Sequence, residues 1–287
     1  MIVTVLGTGT MGAPMARNIC GRAFGDVRVW NRTTEKAESL ADCGCTVAES
    51  VADAVKGAGA VLVMLADDAA VLSVLEEALP AMEDGAILVQ ASTVGVKTTE
   101  QIAARAAEHD IPFLDAPVVG TKQPAEKGNL VVLASGPDDA IDACGAIFDA
   151  IALKTVRAGE AGAGTRLKLT VNTWILGLVE SLAETVALAQ KLGVDPGLFF
   201  QTIGGGPLDT KYAHTKGALM TERSFEPASF SLALARKDAG LVLDAAAEAD
   251  LALPIIEAVA KQMGTAIDAG HGDEDMAATY LASCPEP

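Results

Sequence analysis

From Thr165 to Lys191 the chain contains no proline and one glycine, Gly177. Glycines at 159, 162 and 164 end whatever precedes this run, and Thr165 is placed to cap a new helix. Gly193 and then Pro196 supply the stop. A helix of this length spans roughly 40 Å at about 1.5 Å per residue. Leu167, Leu169, Val171, Trp174, Ile175, Leu178, Val179, Leu182, Val186, Leu188 and Leu192 spread over almost its whole circumference. That pattern predicts a helix buried in a protein core, one that subunits can share. Asn172, Glu180, Glu184 and Gln190 argue for protein rather than lipid around it. Lys168 and Asn172, four residues apart, fall on one face. A lysine beside an asparagine, one turn into a buried helix, is where chemistry is first sought.

The N-terminus adds a second constraint. Ile2–Leu6 is a strand, Gly7-Thr-Gly9-Thr10-Met11-Gly12 follows at once, a helix runs to about Cys20, and Val27–Trp30 is a second strand. Gly-x-Gly-x-x-Gly between a strand and a helix is a dinucleotide fingerprint: two glycines allow a tight turn and close backbone approach to a pyrophosphate. The third lets the helix pack on the strand with its N-terminus toward the phosphates. An Asp or Glu at the end of the second strand would take the ribose hydroxyls and repel a 2′-phosphate. The chain has Asn31-Arg32-Thr33-Thr34-Glu35-Lys36 there instead. Asn31 removes the repulsion while Arg32 and Thr33 offer charge and hydrogen bonds, so NADP is expected over NAD. Thr33 or Thr34 is also expected to cap a helix.

Strand and helix patterns go on alternating. Strands are expected near 45–47, 60–65, 86–91, 112–115, 129–134 and 153–156, with helices near 51–57, 67–78, 95–108 and 137–149. This is α/β, a doubly wound Rossmann sheet, over residues 1–160. Leu65, Ala66 and Thr93, at strand ends, are expected to line the cofactor cleft, with Thr93 equally suited to cap the next helix. Asp67-Asp68 suits a helix cap better than a metal site. Phe113–Thr121 ends another strand, and backbone amides around Val119, Gly120 and Thr121 can receive a carboxylate. After Gly193 only helices are expected, near 195–203, 209–219, 229–248, 254–268 and 273–282, giving an all-α second domain over 161–287 built on the long helix.

Charge and cysteine usage narrow the classes. A net charge of −17 argues against a nucleic-acid surface and obliges any anionic ligand to find a local basic island. Cysteines 20, 43, 45, 144 and 284 show no Cys-x-x-Cys spacing and no neighbouring histidine, so reduced thiols, no metal and a cytoplasmic setting are expected. The chain opens directly on a strand rather than on a basic, apolar leader, and no membrane association is expected.

Gly7–Gly12, Asp115–Gly128, the Gly162–Asn172 run and Lys237-Asp238, in that order, resemble the β-hydroxyacid dehydrogenase family over essentially the whole chain. That family includes 3-hydroxyisobutyrate dehydrogenases, tartronate semialdehyde reductases, and glyoxylate and succinic semialdehyde reductases. The resemblance implies a Rossmann domain followed by a helical domain through which homodimers or homotetramers form. Its catalytic lysine falls on Lys168, its substrate-binding asparagine on Asn172 and its second lysine on Lys237, beside substrate and nicotinamide. The family's Asp-x-Pro-Val-Ser-Gly-Gly is here Asp115-Ala-Pro-Val-Val119-Gly120-Thr121, without the serine hydroxyl. Leu-Ala at 65–66 replaces the usual Leu-Pro.

The implied chemistry interconverts a small 3-hydroxy acid, or a 4-hydroxybutyrate or glycolate type of acid, with its semialdehyde or keto acid. Lys168 would be the acid/base if its pKa falls well below about 10.4. Asn172 would bind substrate and hold Lys168, and Lys237 would meet a carboxylate. Two other readings share the layout. Imine reductases characteristically lack the lysine at 168, and a non-catalytic NADP sensor would not need Lys168, Asn172 and Lys237 together.

Overall fold

A computed structural model describes residues 1–22 and 26–284. Its chain falls into two compact units, Met1–Lys168 and Leu169–Pro287. In the first, β1 (Ile2–Leu6), α1 (Gly12–Cys20), β2 (Asp26–Trp30), α2 (Thr34–Glu38), β3 (Thr46–Val47) and α3 (Val51–Val55) alternate. The pattern continues with β4 (Ala60–Val63), α4 (Asp68–Ala78), β5 (Ile87–Gln90), α5 (Val96–Glu108) and β6 (Phe113–Asp115). These six strands are parallel in the order β3-β2-β1-β4-β5-β6. The winding reverses beside β1, which places a crevice at the carboxyl ends of β1 and β4, directly over the glycine turn.

Side chains alternate across the sheet. Val3, Val5, Leu62 and Val89 face one way with Met15, Ile19 and Phe148. Leu6, Val61, Val63 and Leu88 face the other with Leu75 and Ile102. With both faces covered, the strands read as continuous apolar runs. Beyond β6 come β7 (Val118–Val119), α6 (Lys122–Glu126), β8 (Leu130–Ser135), α7 (Asp138–Ala143), α8 (Gly145–Ile151) and β9 (Ala152–Gly159). β8 runs antiparallel to β6 and β7 and parallel to β9. The expected helix over 137–149 is two helices meeting at Cys144, before Gly145. β7 and α6 are too short to show a period, and the sequence reading missed both.

The long helix, α9, spans Ala163–Lys191 and carries the chain from the first unit into the second. It starts two residues before Thr165, so the expected cap at Thr165 is a correction: that residue sits in the first turn and spends its hydroxyl on Asp115. Burial around the whole circumference is also corrected, since Trp174, Leu188 and Leu192 are 68%, 60% and 69% exposed while Leu176, Val179, Leu182 and Val186 are buried. Length and hydropathy alone would suit a membrane span, yet the buried Asn172 and Glu180 on this helix bond to Asp238 and Thr279.

The second unit continues with α10 (Pro196–Ile203), α11 (Lys211–Glu222), α12 (Leu232–Glu248) and α13 (Pro254–Ala266). The last expected helix is instead a 3-10 turn, Met276–Thr279, leading into α14 (Tyr280–Ser283). Asp275 caps that turn by accepting from the Ala277 N–H, and it forms a fully buried ion pair with Lys216 at 2.6 Å. Ser229 donates to the other carboxylate oxygen at 2.7 Å, so both oxygens of the buried acid are bonded.

Candidate active site

The glycine turn is built for close backbone approach. Gly7 has φ +101°, and a Cβ there would lie 2.2 Å from the Met64 carbonyl oxygen. A Cβ on Gly12 would lie 1.9 Å from the Gly7 carbonyl oxygen, whereas one on Gly9 would meet nothing within 4 Å. Gly7 and Gly12 therefore seat the turn on β4, and Gly9 leaves open space over it. The Thr8 hydroxyl is buried without a partner among the described residues. An orphaned hydroxyl and an open Gly9 are what a turn that receives phosphate oxygens requires.

Asn31 ties this turn to the end of β2. Its Oδ1 accepts from the Thr8 N–H at 3.0 Å and its Nδ2 donates to the Thr33 carbonyl at 2.9 Å. Thr33 stands at the N-cap of α2, the expected position, though its side chain makes no capping bond; Thr33 and Arg32 are exposed. Thr10 is exposed and Met11 half-buried at the start of α1.

Two further strand ends are locked to each other. Gln90 Oε1 accepts from the Ser92 N–H, and Ser92 Oγ accepts from the Leu65 N–H at 2.9 Å. Asp67 caps α4 through the Ala70 N–H, and Asp68 accepts from the Gly95 N–H at 2.9 Å. Leu65 and Ala66 are thus set beside Ser92–Gly95. α5 takes Gly95 as its N-cap, so Thr93 is not the cap.

Val119 ends β7, paired with Val131, and commits part of that backbone to the sheet. Gly120 has φ +137°, and a Cβ there would lie 2.6 Å from Leu130, so the turn into α6 needs glycine. Thr121 is the N-cap of α6, without a side-chain cap. At the other end of this segment, Asp115 is fully buried. Its carboxylate accepts from the Thr165 N–H and hydroxyl, both at 2.7 Å, and from the Ser135 hydroxyl at 3.2 Å. Burial raises the Asp115 carboxyl above its ordinary value, while the Thr165 and Ser135 bonds pull it down. Lys168, three residues past Thr165, is buried.

In the second unit, Asn172 Nδ2 donates to Asp238 Oδ2 at 2.9 Å, and Lys237 Nζ lies 3.0 Å from Asp238 Oδ1. The Asp238 side chain is 5% exposed and that of Lys237 25%. This is no surface ion pair. One buried carboxylate holds the amide of Asn172 and the ammonium of Lys237 together. Sequence reasoning named Lys237 and Asn172 but missed Asp238 as their link, and it missed Thr165 and Ser135 as partners of Asp115. The acid directly after the lysine was visible in the sequence, but not its burial or its bond to Asn172; nothing local signals the second.

Other polar residues have structural employment. His214 pairs with Asp209 at 2.6 Å, and Tyr212 OH reaches Met276 Sδ at 3.5 Å. All five cysteines are free thiols. Among the described residues no group of three or more His, Cys, Asp or Glu side chains is arranged to hold a metal ion.

Residues 2–159 match the model of the NAD-binding domain of 6-phosphogluconate dehydrogenase. Residues 162–282 match that of the NAD-binding domain of NADP-dependent 3-hydroxyisobutyrate dehydrogenase. Two glyoxylate/succinic semialdehyde reductases of Arabidopsis thaliana are 32% and 31% identical, over 96% and 98% of this chain and 78% and 98% of their own lengths. A structure of Mycobacterium tuberculosis 3-hydroxyisobutyrate dehydrogenase with L-serine superposes with a TM-score of 0.88 at 29% identity, covering 97% of each chain.

Proposed function

The chain belongs to the β-hydroxyacid dehydrogenase family, and on that premise we propose that it is an NADPH-dependent reductase of small semialdehyde or keto acids. The coarser statement, a hydroxyacid oxidoreductase that uses a nicotinamide cofactor, needs no proposal. What carries the finer reading is the buried pair Asn172 and Asp238 with half-buried Lys237 joined to it, and Lys168 one helical turn before Asn172.

The bound nicotinamide supplies the hydride chemistry. The chain must then exchange one proton at the substrate oxygen and hold the substrate's carboxylate. Lys168 exchanges the proton, as a positioned general acid in reduction and base in oxidation. Asn172 hydrogen-bonds the substrate oxygen, and Asp238 fixes its amide by taking one Nδ2–H. Lys237 offers its ammonium to the carboxylate, and Asp238 limits its freedom. Backbone amides of Gly120 and Thr121, past Val119, are a second candidate seat for a carboxylate.

Gly7, Gly9, Thr10, Met11 and Gly12 cradle the pyrophosphate, and Leu65, Ala66 and Thr93 border the nicotinamide end. NADPH is preferred because Asn31 stands where an acid would repel the 2′-phosphate, and exposed Arg32 and Thr33 are available to it. The assembly is a homodimer or homotetramer through the helical unit, supported by the exposed Trp174, Leu188 and Leu192.

Cofactor titration tests the 2′-phosphate assignment. Arg32→Ala is expected to weaken NADPH binding about tenfold while leaving NADH within about twofold, as loss of one charge-assisted contact does. Equal effects on both cofactors contradict it.

A further inference from the structure

We infer that Asp115 is a positioning residue for the reaction, holding the first turn of α9 through Thr165 so that Lys168 keeps one register. The inference rests on the reading of Lys168 as the acid/base. It goes beyond that reading in naming what aims the lysine.

The first N–H groups of a helix have no partner within it. At the start of α9 two of them are taken by buried side chains: the Gly164 N–H by Ser135 Oγ at 2.9 Å and the Thr165 N–H by Asp115 Oδ2 at 2.7 Å. Thr165 then donates its hydroxyl to Asp115 Oδ1, also at 2.7 Å. One residue thus presents two donors to two oxygens of one planar carboxylate, so rotation of the helix about its axis is fixed as well as its advance along it. Ser135 reaches the same oxygen as the Thr165 N–H, its single hydroxyl shared between Oδ2 at 3.2 Å and the Asp115 carbonyl at 3.0 Å. Thr99 Oγ1 lies 3.1 Å from Thr165 Oγ1. Asp115, Ser135, Thr99 and Thr165 are each at most 2% exposed, so no water competes for these bonds.

The backbone leaves no slack either. A Cβ on Gly164 would lie 2.4 Å from the Leu133 carbonyl oxygen and 2.8 Å from that of Asp115. The helix start is pressed onto the ends of β6 and β8. Asparagine or serine would cap a helix with less desolvation. An amide has one acceptor oxygen where the carboxylate has two, so with asparagine at 115 the Thr165 N–H and hydroxyl would no longer each donate to an oxygen of their own.

Lys168 is one turn beyond this clamp, at i+3 from Thr165. A side-chain tip stands about 5–6 Å from the helix axis, so a rotation of about 10° moves it by about 1 Å. Misplacement on that scale costs up to about 100-fold in rate.

The test is steady-state NADPH oxidation with succinic semialdehyde by Asp115→Asn, Thr165→Val and Thr165→Ser, with NADPH affinity and thermal melting alongside. Asp115→Asn and Thr165→Val are expected to lower kcat about 10- to 100-fold, with KM and the NADPH Kd within about threefold. Thr165→Ser, which keeps the hydroxyl, should recover to within about threefold of wild type. In a Lys168→Ala background at high enzyme concentration, adding Asp115→Asn should bring no further loss, since the two act through one group. Unchanged kcat in folded Asp115→Asn overturns the inference, as does a loss that multiplies with Lys168→Ala, the mark of a merely structural role. Should Asp115→Asn fail to fold, the Thr165 pair decides by the same criteria. Full activity in Lys168→Ala alone overturns the acid–base reading, and it is read from a different variant.

Discussion

Glu180 lies at the middle of α9 with a carboxylate that solvent cannot reach. Oε2 accepts from Thr279 Oγ1 at 2.6 Å, and Oε1 is buried with no partner among the described residues. Burial raises its pKa from 4.5 to about 7; the Thr279 bond lowers it and the charge of Glu184 raises it further. The folded state therefore binds the proton more tightly than the unfolded chain. The stability this contributes is complete below about pH 4.5 and is lost as pH rises through about 7. The loss is on the order of 3 kcal/mol at about 1.36 kcal/mol per pKa unit. Urea midpoints of wild type should fall between pH 5 and 8, while those of Glu180→Gln stay nearer level and lie above wild type at pH 8. Equal slopes would show that Glu180 does not titrate in this range. An acid on an apolar helix is legible in the sequence, but its partner Thr279 lies ninety-nine residues away and is not.

Most of α9 is legible in its own residues. Its existence, its stop at Gly193 and its polar pair at 168 and 172 were legible because period, punctuation and spacing are local. Its start was not, because Asp115 and Ser135 bond its first N–H groups from elsewhere in the chain. Its exposed side was hidden for a related reason: an apolar circumference does not say which part another element of the same chain covers. Trp174 and Leu188 stand two heptads apart, with Ser181 midway, on an exposed face that Leu192 extends. Apolar side chains exposed in a row on one helix mark a contact surface. Wild type should sediment as a dimer or tetramer at micromolar concentration, and Trp174→Glu with Leu188→Glu should shift it toward monomer. A monomeric wild type, or an unchanged variant, contradicts assembly through this face.

Across the whole molecule, the strand–helix alternation, the dinucleotide turn and the helical second half follow from patterns that span a few residues each, repeated in order. The roles at the site follow less directly. Asp238, which joins Asn172 to Lys237, stood in the sequence as an ordinary i, i+1 neighbour, and only folding made it a buried bridge. With a net charge of −17, most of this surface would repel an anion, so the proposed acid substrate would need a local positive charge. The most direct measurement is turnover of glyoxylate, succinic semialdehyde, methylmalonate semialdehyde and a cyclic imine with NADPH and with NADH, by wild type and Lys168→Ala. The account predicts turnover of at least one aldehyde acid, favouring NADPH, and a loss of at least about 100-fold in kcat for Lys168→Ala with NADPH binding retained. Turnover of the imine alone, or full activity in Lys168→Ala, would contradict it.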